Sequence, residues 1–318
     1  MGSAWYWNVV YFGAASAAIL LLRRLMLYRS RCQSKALMVG KTVIITGANS
    51  GIGKATALDL ARRRARVILA CRNEENAQSA VKDIRRYTSN GELVVKKLDL
   101  ASLKSVRTFC EDIVKEESRV DVLINNAGVM NCPYARTEDG LETHLAVNHV
   151  GNFLLTNLLL DKLKSSKPSR IVFVSSSLHK YGRVTLEDMN SYEQYKKGKP
   201  YADTKLANVL FARELHDRLE GSGICVYTVH PGIVRTNLGR YMIPGWLYTV
   251  FSPLFLMIAR TPTEGSQTVI YCSVAPELEG VSGNYYGSCK QEPWSQAASD
   301  EGARKKIWEW SEKLAGLM

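Results

Sequence analysis

The sequence predicts an α/β domain built on a doubly wound parallel sheet, preceded by one N-terminal transmembrane anchor. Three features carry that prediction. Short β-branched runs alternate with amphipathic helical stretches from Lys41 onward, the pattern of βαβ units. A glycine-rich turn joins the first such run to the first helix. A charge-free apolar run near the N-terminus is followed by a cluster of basic residues. The 318 residues are 46% hydrophobic and 23% charged, which excludes a disordered or collagen-like chain. A mean hydropathy of −0.13 argues against a polytopic membrane protein.

The anchor comes first. Ala4–Leu22 runs without a charge and would span about 28 Å as a helix, close to the hydrocarbon thickness of a bilayer. Trp5, Tyr6 and Trp7 stand at one end, where amphipathic rings favour the interface. Arg23, Arg24, Arg29, Arg31, Lys35 and Lys41 follow the other end, so the body of the protein is expected to face the cytosol. A cleaved signal peptide would carry its charge before the apolar core, and myristoylation would want Ser or Thr where Tyr6 stands. The expected divisions are 1–40 for the anchor and its basic flank and 41–318 for one catalytic-sized domain. The expected location is the endoplasmic reticulum membrane, with a mitochondrial membrane as the alternative.

The net charge is +12, from 42 Lys and Arg against 30 Asp and Glu. Its concentration beside the anchor favours a membrane surface over nucleic acid, and no nucleic-acid recognition motif occurs. Seven scattered cysteines, an odd number with no C-x-x-C, indicate neither a disulfide framework nor a zinc site, and no metal is expected.

Strands are expected at Thr42–Thr46, Arg66–Cys71, Leu93–Leu98, Val120–Asn125, Arg170–Ser175, Ile224–Val229 and Asn284–Gly287. Helices are expected at Gly53–Arg64, Glu75–Tyr87, Leu103–Glu116, Leu141–Lys164 and Tyr201–Leu219. No linker or internal repeat divides this stretch, so it reads as a single domain. Gly47-Ala48-Asn49-Ser50-Gly51-Ile52-Gly53 lies between the first strand and first helix, where backbone amides can approach a pyrophosphate at a helix N-terminus.

Thr46-Gly47-x-x-x-Gly51-Ile52-Gly53, Asn125-Asn126-Ala127-Gly128 and Tyr201-x-x-x-Lys205, in that order and spacing, resemble the short-chain dehydrogenase/reductase superfamily. The resemblance covers the chain from about residue 41 onward and implies a Rossmann-type domain binding a nicotinamide dinucleotide. It implies cofactor contacts from Thr46, Gly47, Asn49, Ser50, Gly51, Ile52 and Gly53. Asp99 and Leu100 are implied beside the adenine, and Asn126, Ala127 and Gly128 beside the ribose. The second strand ends Ala70-Cys71-Arg72 with no carboxylate to hold a ribose 2′-hydroxyl, so Arg72 and a 2′-phosphate make NADP(H) the expected cofactor. Asp99 has a rival role as a helix cap.

Tyr201 and Lys205 share a helix face, and the Lys ammonium together with a bound oxidised nicotinamide is expected to favour the phenolate of an acid/base tyrosine. Tyr192–Lys196 and Tyr195–Lys199 repeat the spacing, but within a lysine-rich stretch broken by Gly198 and Pro200. Ser175-Ser176-Ser177 ends the fifth strand, and the family register points to Ser176 as a donor to the substrate oxygen. Asn148 resembles the family asparagine whose helical site holds a water near the lysine; an interior Asn bonded to local backbone is the alternative. His230-Pro231-Gly232-Ile233-Val234-x-Thr236 resembles the loop on the carboxamide side of the nicotinamide, adding Pro231, Gly232, Val234 and Thr236 to the implied cofactor contacts.

A closer resemblance is to the membrane-anchored retinol dehydrogenase group, carried by Asn125–Met130, Leu141–Asn152 and Thr204–Phe211. Thr204 replaces the serine frequent there, with little expected consequence because both carry a hydroxyl. The implied activity is NADP-dependent interconversion of retinal and retinol. The residues themselves reach only to carbonyl/alcohol chemistry on an apolar molecule. A reductase of steroids or lipid aldehydes is the same-class alternative, and a nucleotide-binding membrane scaffold the non-enzyme one. Homo-oligomer formation is left open. Met242–Ala259 carries no charge but holds Pro244, Gly245 and Pro253, so it reads as a lid resting on lipid rather than a second span. Trp246 and Phe255 are the expected substrate contacts in it, beside Ser176.

Overall fold

The computed structural model describes residues 5–8, 10–11, 13–14, 16–18, 20–21, 30–191, 198–236, 238 and 259–318. In chain order these form β1 (Thr42–Thr46), α1 (Gly51–Arg62), β2 (Arg66–Cys71), α2 (Glu74–Arg85), β3 (Glu92–Lys97), α3 (Leu103–Glu116) and β4 (Val122–Asn125). A π-helical stretch, Leu145–Val150, then runs into α4 (Gly151–Leu158), α5 (Leu160–Ser165), β5 (Ser169–Val174), α6 (Leu186–Ser191), α7 (Lys199–Arg218) and β6 (Ile224–His230). The chain closes with α8 (Pro262–Gly265), α9 (Gln267–Val274), β7 (Asn284–Gly287), β8 (Lys290–Glu292) and α10 (Glu301–Ala315).

The strands form one sheet in the order β3-β2-β1-β4-β5-β6-β7-β8, parallel throughout except for the antiparallel β7–β8 pair at one edge. The order reverses between β1 and β4, so a crevice opens there at the carboxyl ends of the strands. Side chains alternate across the pleat into two apolar layers. Ile44, Leu123, Ile171 and Phe173 face the layer containing residues of α3, α4, α7 and α10. Val43, Ile45, Val122, Ile124 and Val172 face the layer containing residues of α1, α2 and α9. Phe153, Phe211 and Trp308 stack within the first layer at 4.7–5.6 Å between ring centroids, fixing α4, α7 and α10 together.

The single helix expected over Leu141–Lys164 is divided. Asn152 Nδ2 donates to the carbonyls of Val147 and Asn148 at 3.2 and 3.0 Å, satisfying groups that a regular ladder would use. That substitution permits the π-helical widening before α4. The antiparallel edge strand β8 and helices α9 and α10 were not among the expected elements.

The described residues between Trp5 and Leu21 are helical and exposed, Trp5 at 73% and Leu21 at 59%. Among the described residues no helix is long and apolar enough to cross a membrane. The segment before β1 is strapped to the domain: Arg63 Nη1 donates to the carbonyls of Ser34 and Ala36, and Gln267 Oε1 accepts from the Cys32 amide.

Candidate active site

The turn after β1 is tied to the turn after β4 by side-chain hydrogen bonds. Thr46 Oγ1 accepts from the amides of Asn126 and Ala127 at 2.9 Å, while Asn126 Nδ2 donates to the Thr46 carbonyl at 2.8 Å, joining the β1 and β4 turns. A side chain at Gly53 would lie 2.5 Å from the Gly47 carbonyl, so glycine there is what lets α1 begin against the turn. The Ser50 side chain caps no amide of α1, and no acidic residue occupies the first helical turn. The helix start is therefore left to an external anion. A cleft of about 670 Å³ runs from this turn along the strand ends, lined by Thr46, Gly47, Asn49, Ser50, Gly51 and Ile52 and, on the β4 side, Asn126, Ala127 and Gly128. Those donors and that shape fit a dinucleotide.

At one end of the cleft Arg72 follows β2, exposed and lining the wall with Cys71 and Asn73. An acid also lies in this wall. Asp83 of α2 accepts from Lys54 Nζ of α1 at 2.5 Å, and that hydrogen bond holds its carboxyl below the usual range. Neither residue was anticipated as a cleft residue. Asp99 and Leu100 line the wall beyond β3. Asp99 Oδ1 accepts from the Ala101 amide at 3.0 Å, whereas the cap of α3 is Ser102, so the alternative role for Asp99 falls away.

The other end holds the proton chemistry. Tyr201 and Lys205 lie one turn apart on α7, 5% and 3% exposed, and both line the cleft. Lys205 Nζ is 5.6 Å from the Tyr201 ring centroid and donates to the Val174 carbonyl at 2.8 Å. Burial pulls the Lys205 ammonium down to about 8. Burial also pushes the Tyr201 phenol up to about 12, against the opposing effect of its hydrogen bond with the Ser176 side chain. Within the protein alone desolvation dominates at Tyr201, and the lysine charge is turned toward a carbonyl.

Asn148 sits in the π-helical stretch with no exposed surface. Its Oδ1 accepts from the Val129 amide at 2.7 Å, and its Nδ2 donates to the Val129 carbonyl and to Thr204 Oγ1, each at 3.0 Å. Thr204 Oγ1 donates in turn to the Tyr201 carbonyl, so the hydroxyl common to Ser and Thr is the group in use. The Asn148 carbonyl accepts from Asn152 Nδ2 and from Asn208 Nδ2, the latter at 2.7 Å. Asn148 is therefore bonded to local backbone and neighbouring side chains. A Cβ at Gly128 would meet Asn148 Oδ1 at 3.2 Å and Lys205 Nζ at 3.5 Å, so this turn closes directly over both groups.

A family model described as short chain dehydrogenase matches residues 41–244, spanning the turn, the cleft and this group. The chain belongs to the short chain dehydrogenase family. It is 53% identical over 293 residues to retinol dehydrogenase 14 of Mus musculus, covering 89% of this chain and 88% of that one. It is 48% identical over 309 residues to retinol dehydrogenase 13 of Homo sapiens, covering 96% and 93%. These similarities group it with the retinol dehydrogenases of the family. The crystal structure of a Mycobacterium paratuberculosis protein superposes with a TM-score of 0.72 at 35% identity, covering 88% of this chain and 95% of that one.

In this short chain dehydrogenase the loop after β6 brings Pro231 and Thr236 to the cleft. Arg260 pins it, donating to the Pro231 carbonyl at 3.2 Å and to Ser288 Oγ at 2.8 Å. Gly232 and Val234 do not line the cleft; Gly232 faces the Arg260 guanidinium, and Val234 packs on Gly265. Gly53 and Ser176 do not line the cleft either, and the Ser176 side chain is hydrogen-bonded to Tyr201, which does. His179, which has no exposed surface, donates from Nδ1 to the Ser176 carbonyl at 2.8 Å and fixes that turn. Tyr192, Tyr195, Lys196, Trp246 and Phe255 lie outside the described residues.

Proposed function

We propose that this short chain dehydrogenase is a membrane-anchored, NADP(H)-dependent oxidoreductase that interconverts retinal and retinol, favouring retinal reduction. The observation that carries the reading is the buried pair of Tyr201 and Lys205 at one end of a dinucleotide-shaped cleft, with the Ser176 side chain hydrogen-bonded to Tyr201, in a chain about half identical to retinol dehydrogenases along most of its length. Bound along the cleft, the nicotinamide supplies the hydride. Tyr201, which burial keeps protonated, gives its proton to the carbonyl oxygen as charge develops there. Ser176 has one hydroxyl proton, which it donates to the same oxygen as charge develops there. Lys205, charged below about pH 8, stabilises that phenolate, and Asn148 holds the Val129 turn against it.

Arg72 is the proposed reader of a 2′-phosphate. The cation at Lys54 is already neutralised by Asp83, which leaves Arg72 to supply the charge. Residues 1–40 are proposed as anchor and basic flank, and 41–318 as the catalytic domain facing the cytosol from the endoplasmic reticulum membrane. The charge-free Ala4–Leu22 run and the arginines after it support that placement.

The test is a turnover screen of the full chain in phospholipid vesicles. All-trans-retinal, a steroid ketone and a fatty aldehyde are each offered with NADPH and with NADH. Retinal with NADPH should give the highest kcat/KM. Faster turnover of the steroid ketone would overturn the substrate, and NADPH binding without turnover would make the protein a nucleotide-binding scaffold.

A further inference from the structure

A second chemical cluster lies in the loop that leaves the β4 turn. Cys132 Sγ is 3.6 and 3.5 Å from Nδ1 and Nε2 of His144, so the sulfur faces the imidazole as a whole rather than one N–H. His144 Nδ1 donates to Glu142 Oε1 at 2.8 Å, and Glu142 Oε2 accepts from the Leu145 amide at 2.9 Å where the π-helical stretch begins. His144 and Glu142 have no exposed surface, whereas Cys132 keeps 9% of its own. The loop is closed by pairing of Arg136 with Glu142 and by Asn190 Oδ1, which accepts from the Glu142 amide at 2.9 Å.

A buried carboxylate bonded to an imidazole favours its charged form. Burial pulls His144 down, but its bonds to Cys132 and Glu142 outweigh that and raise it to about 9. An imidazolium in contact with a thiol stabilises the thiolate, the reactive form of cysteine. Burial pushes Cys71 to about 11 and Cys110 and Cys289 to about 12, and it raises Cys32 and Cys272 too. The loop also matters to the site, since Gly128 and Val129 line the cleft three residues or so before Cys132 and Asn148 clamps Val129.

We propose that Cys132 is a site of covalent modification by α,β-unsaturated aldehydes, with His144 and Glu142 stabilising its thiolate. The sulfur adds to the β-carbon, forming a C–S bond as the C=C π pair moves toward the carbonyl. The resulting enolate takes one proton, from His144 or water, giving a thioether that retains its aldehyde. No oxidant or reductant is consumed. Growth of the side chain at Cys132 displaces the Val129 wall and lowers turnover. That a polyenal substrate is itself such an electrophile rests on the proposed function; the reactivity of the thiol does not.

The test treats the full chain with acrolein, a three-carbon enal, and maps adducts by peptide mass spectrometry after short exposures. Cys132 should be modified at least about tenfold faster than the half-buried Cys32 and Cys289. The His144→Gln variant, if it still binds NADPH, should label Cys132 about tenfold more slowly. Faster labelling of Cys32 or Cys289, an unmodified Cys132, or a folded variant that labels as fast as wild type would each overturn the proposal. If the variant does not fold, the wild-type rates of Cys132 against Cys32 and Cys289 decide the matter. The readout is mass, so an enzyme inactive toward retinal would leave this result standing, and the reverse also holds.

Discussion

Asn148→Ala tests how much of the site depends on one buried amide. The side chain makes three hydrogen bonds, to the Val129 amide, the Val129 carbonyl and Thr204 Oγ1. At about 1 kcal/mol each their loss costs about 3 kcal/mol. Val129 is half-buried, so water reclaims part of its backbone, while Thr204 has no exposed surface and is left without the Asn148 donor. Together these bracket the cost at about 2–4 kcal/mol. In a domain of this size each kcal/mol lowers Tm by about 2–3 °C, so the expected drop is about 5–10 °C. The Asn148 carbonyl keeps its bonds to Asn152 and Asn208, so the π-helical stretch persists and the damage is confined to the Val129 turn. Thermal unfolding followed by far-ultraviolet circular dichroism, with and without NADPH, measures both the drop and any loss of cofactor stabilisation. A Tm within about 2 °C of wild type would show that the Val129 turn stands without Asn148, and would remove the structural basis given for its role.

Tyr201→Phe keeps the ring in its buried place and removes the proton donor, so reductive kcat should fall at least about a hundredfold while NADPH affinity holds; near-normal turnover would move the acid elsewhere. Arg72→Ala should weaken NADPH by about 1.5–3 kcal/mol and leave NADH nearly unchanged in fluorescence titrations, whereas equal losses would show that Arg72 does not read the phosphate. Reductive kcat/KM should fall as pH rises through about 8, because Lys205 then loses the charge that stabilises the developing phenolate, while Tyr201 stays protonated to about 12. A profile flat to pH 9.5 would assign the stabilisation to another group.

What was legible in the sequence is what the chain encodes locally. The turn from Gly47 to Gly53 needs its glycines for contacts within a few residues of itself, and the strand runs of β1, β2 and β7 match the structure end to end because both their faces are buried. What was not legible depends on partners distant in sequence. Asp83 meets Lys54 across 29 residues and two helices, so an acid in the cofactor wall leaves no motif behind. The break in the helix around Asn148 comes from Asn152 and Asn208 competing for backbone carbonyls, while the apolar periodicity through the same stretch runs on undisturbed. The short edge strand β8 exists only because β7 offers it a free flank.

The protonation of Tyr201 belongs to the same class and bears on direction. Sequence spacing places a lysine one turn away, which argues for a lowered phenol. The fold spends that lysine on the Val174 carbonyl and removes water from both groups, so the phenol rises and the ammonium falls. Each shift disfavours a charge, and each is relieved when charge of the opposite sign appears beside it. Carbonyl reduction begins from a neutral phenol and creates its anion next to Lys205 and Ser176 only as the proton leaves. Alcohol oxidation must instead begin from that anion, which the buried site disfavours before substrate is bound. A phenol that starts neutral suits the proton-donating role proposed for Tyr201 in reduction. Lys205 must stay charged for this to work, which ties the reductive rate to the neutral side of pH 8.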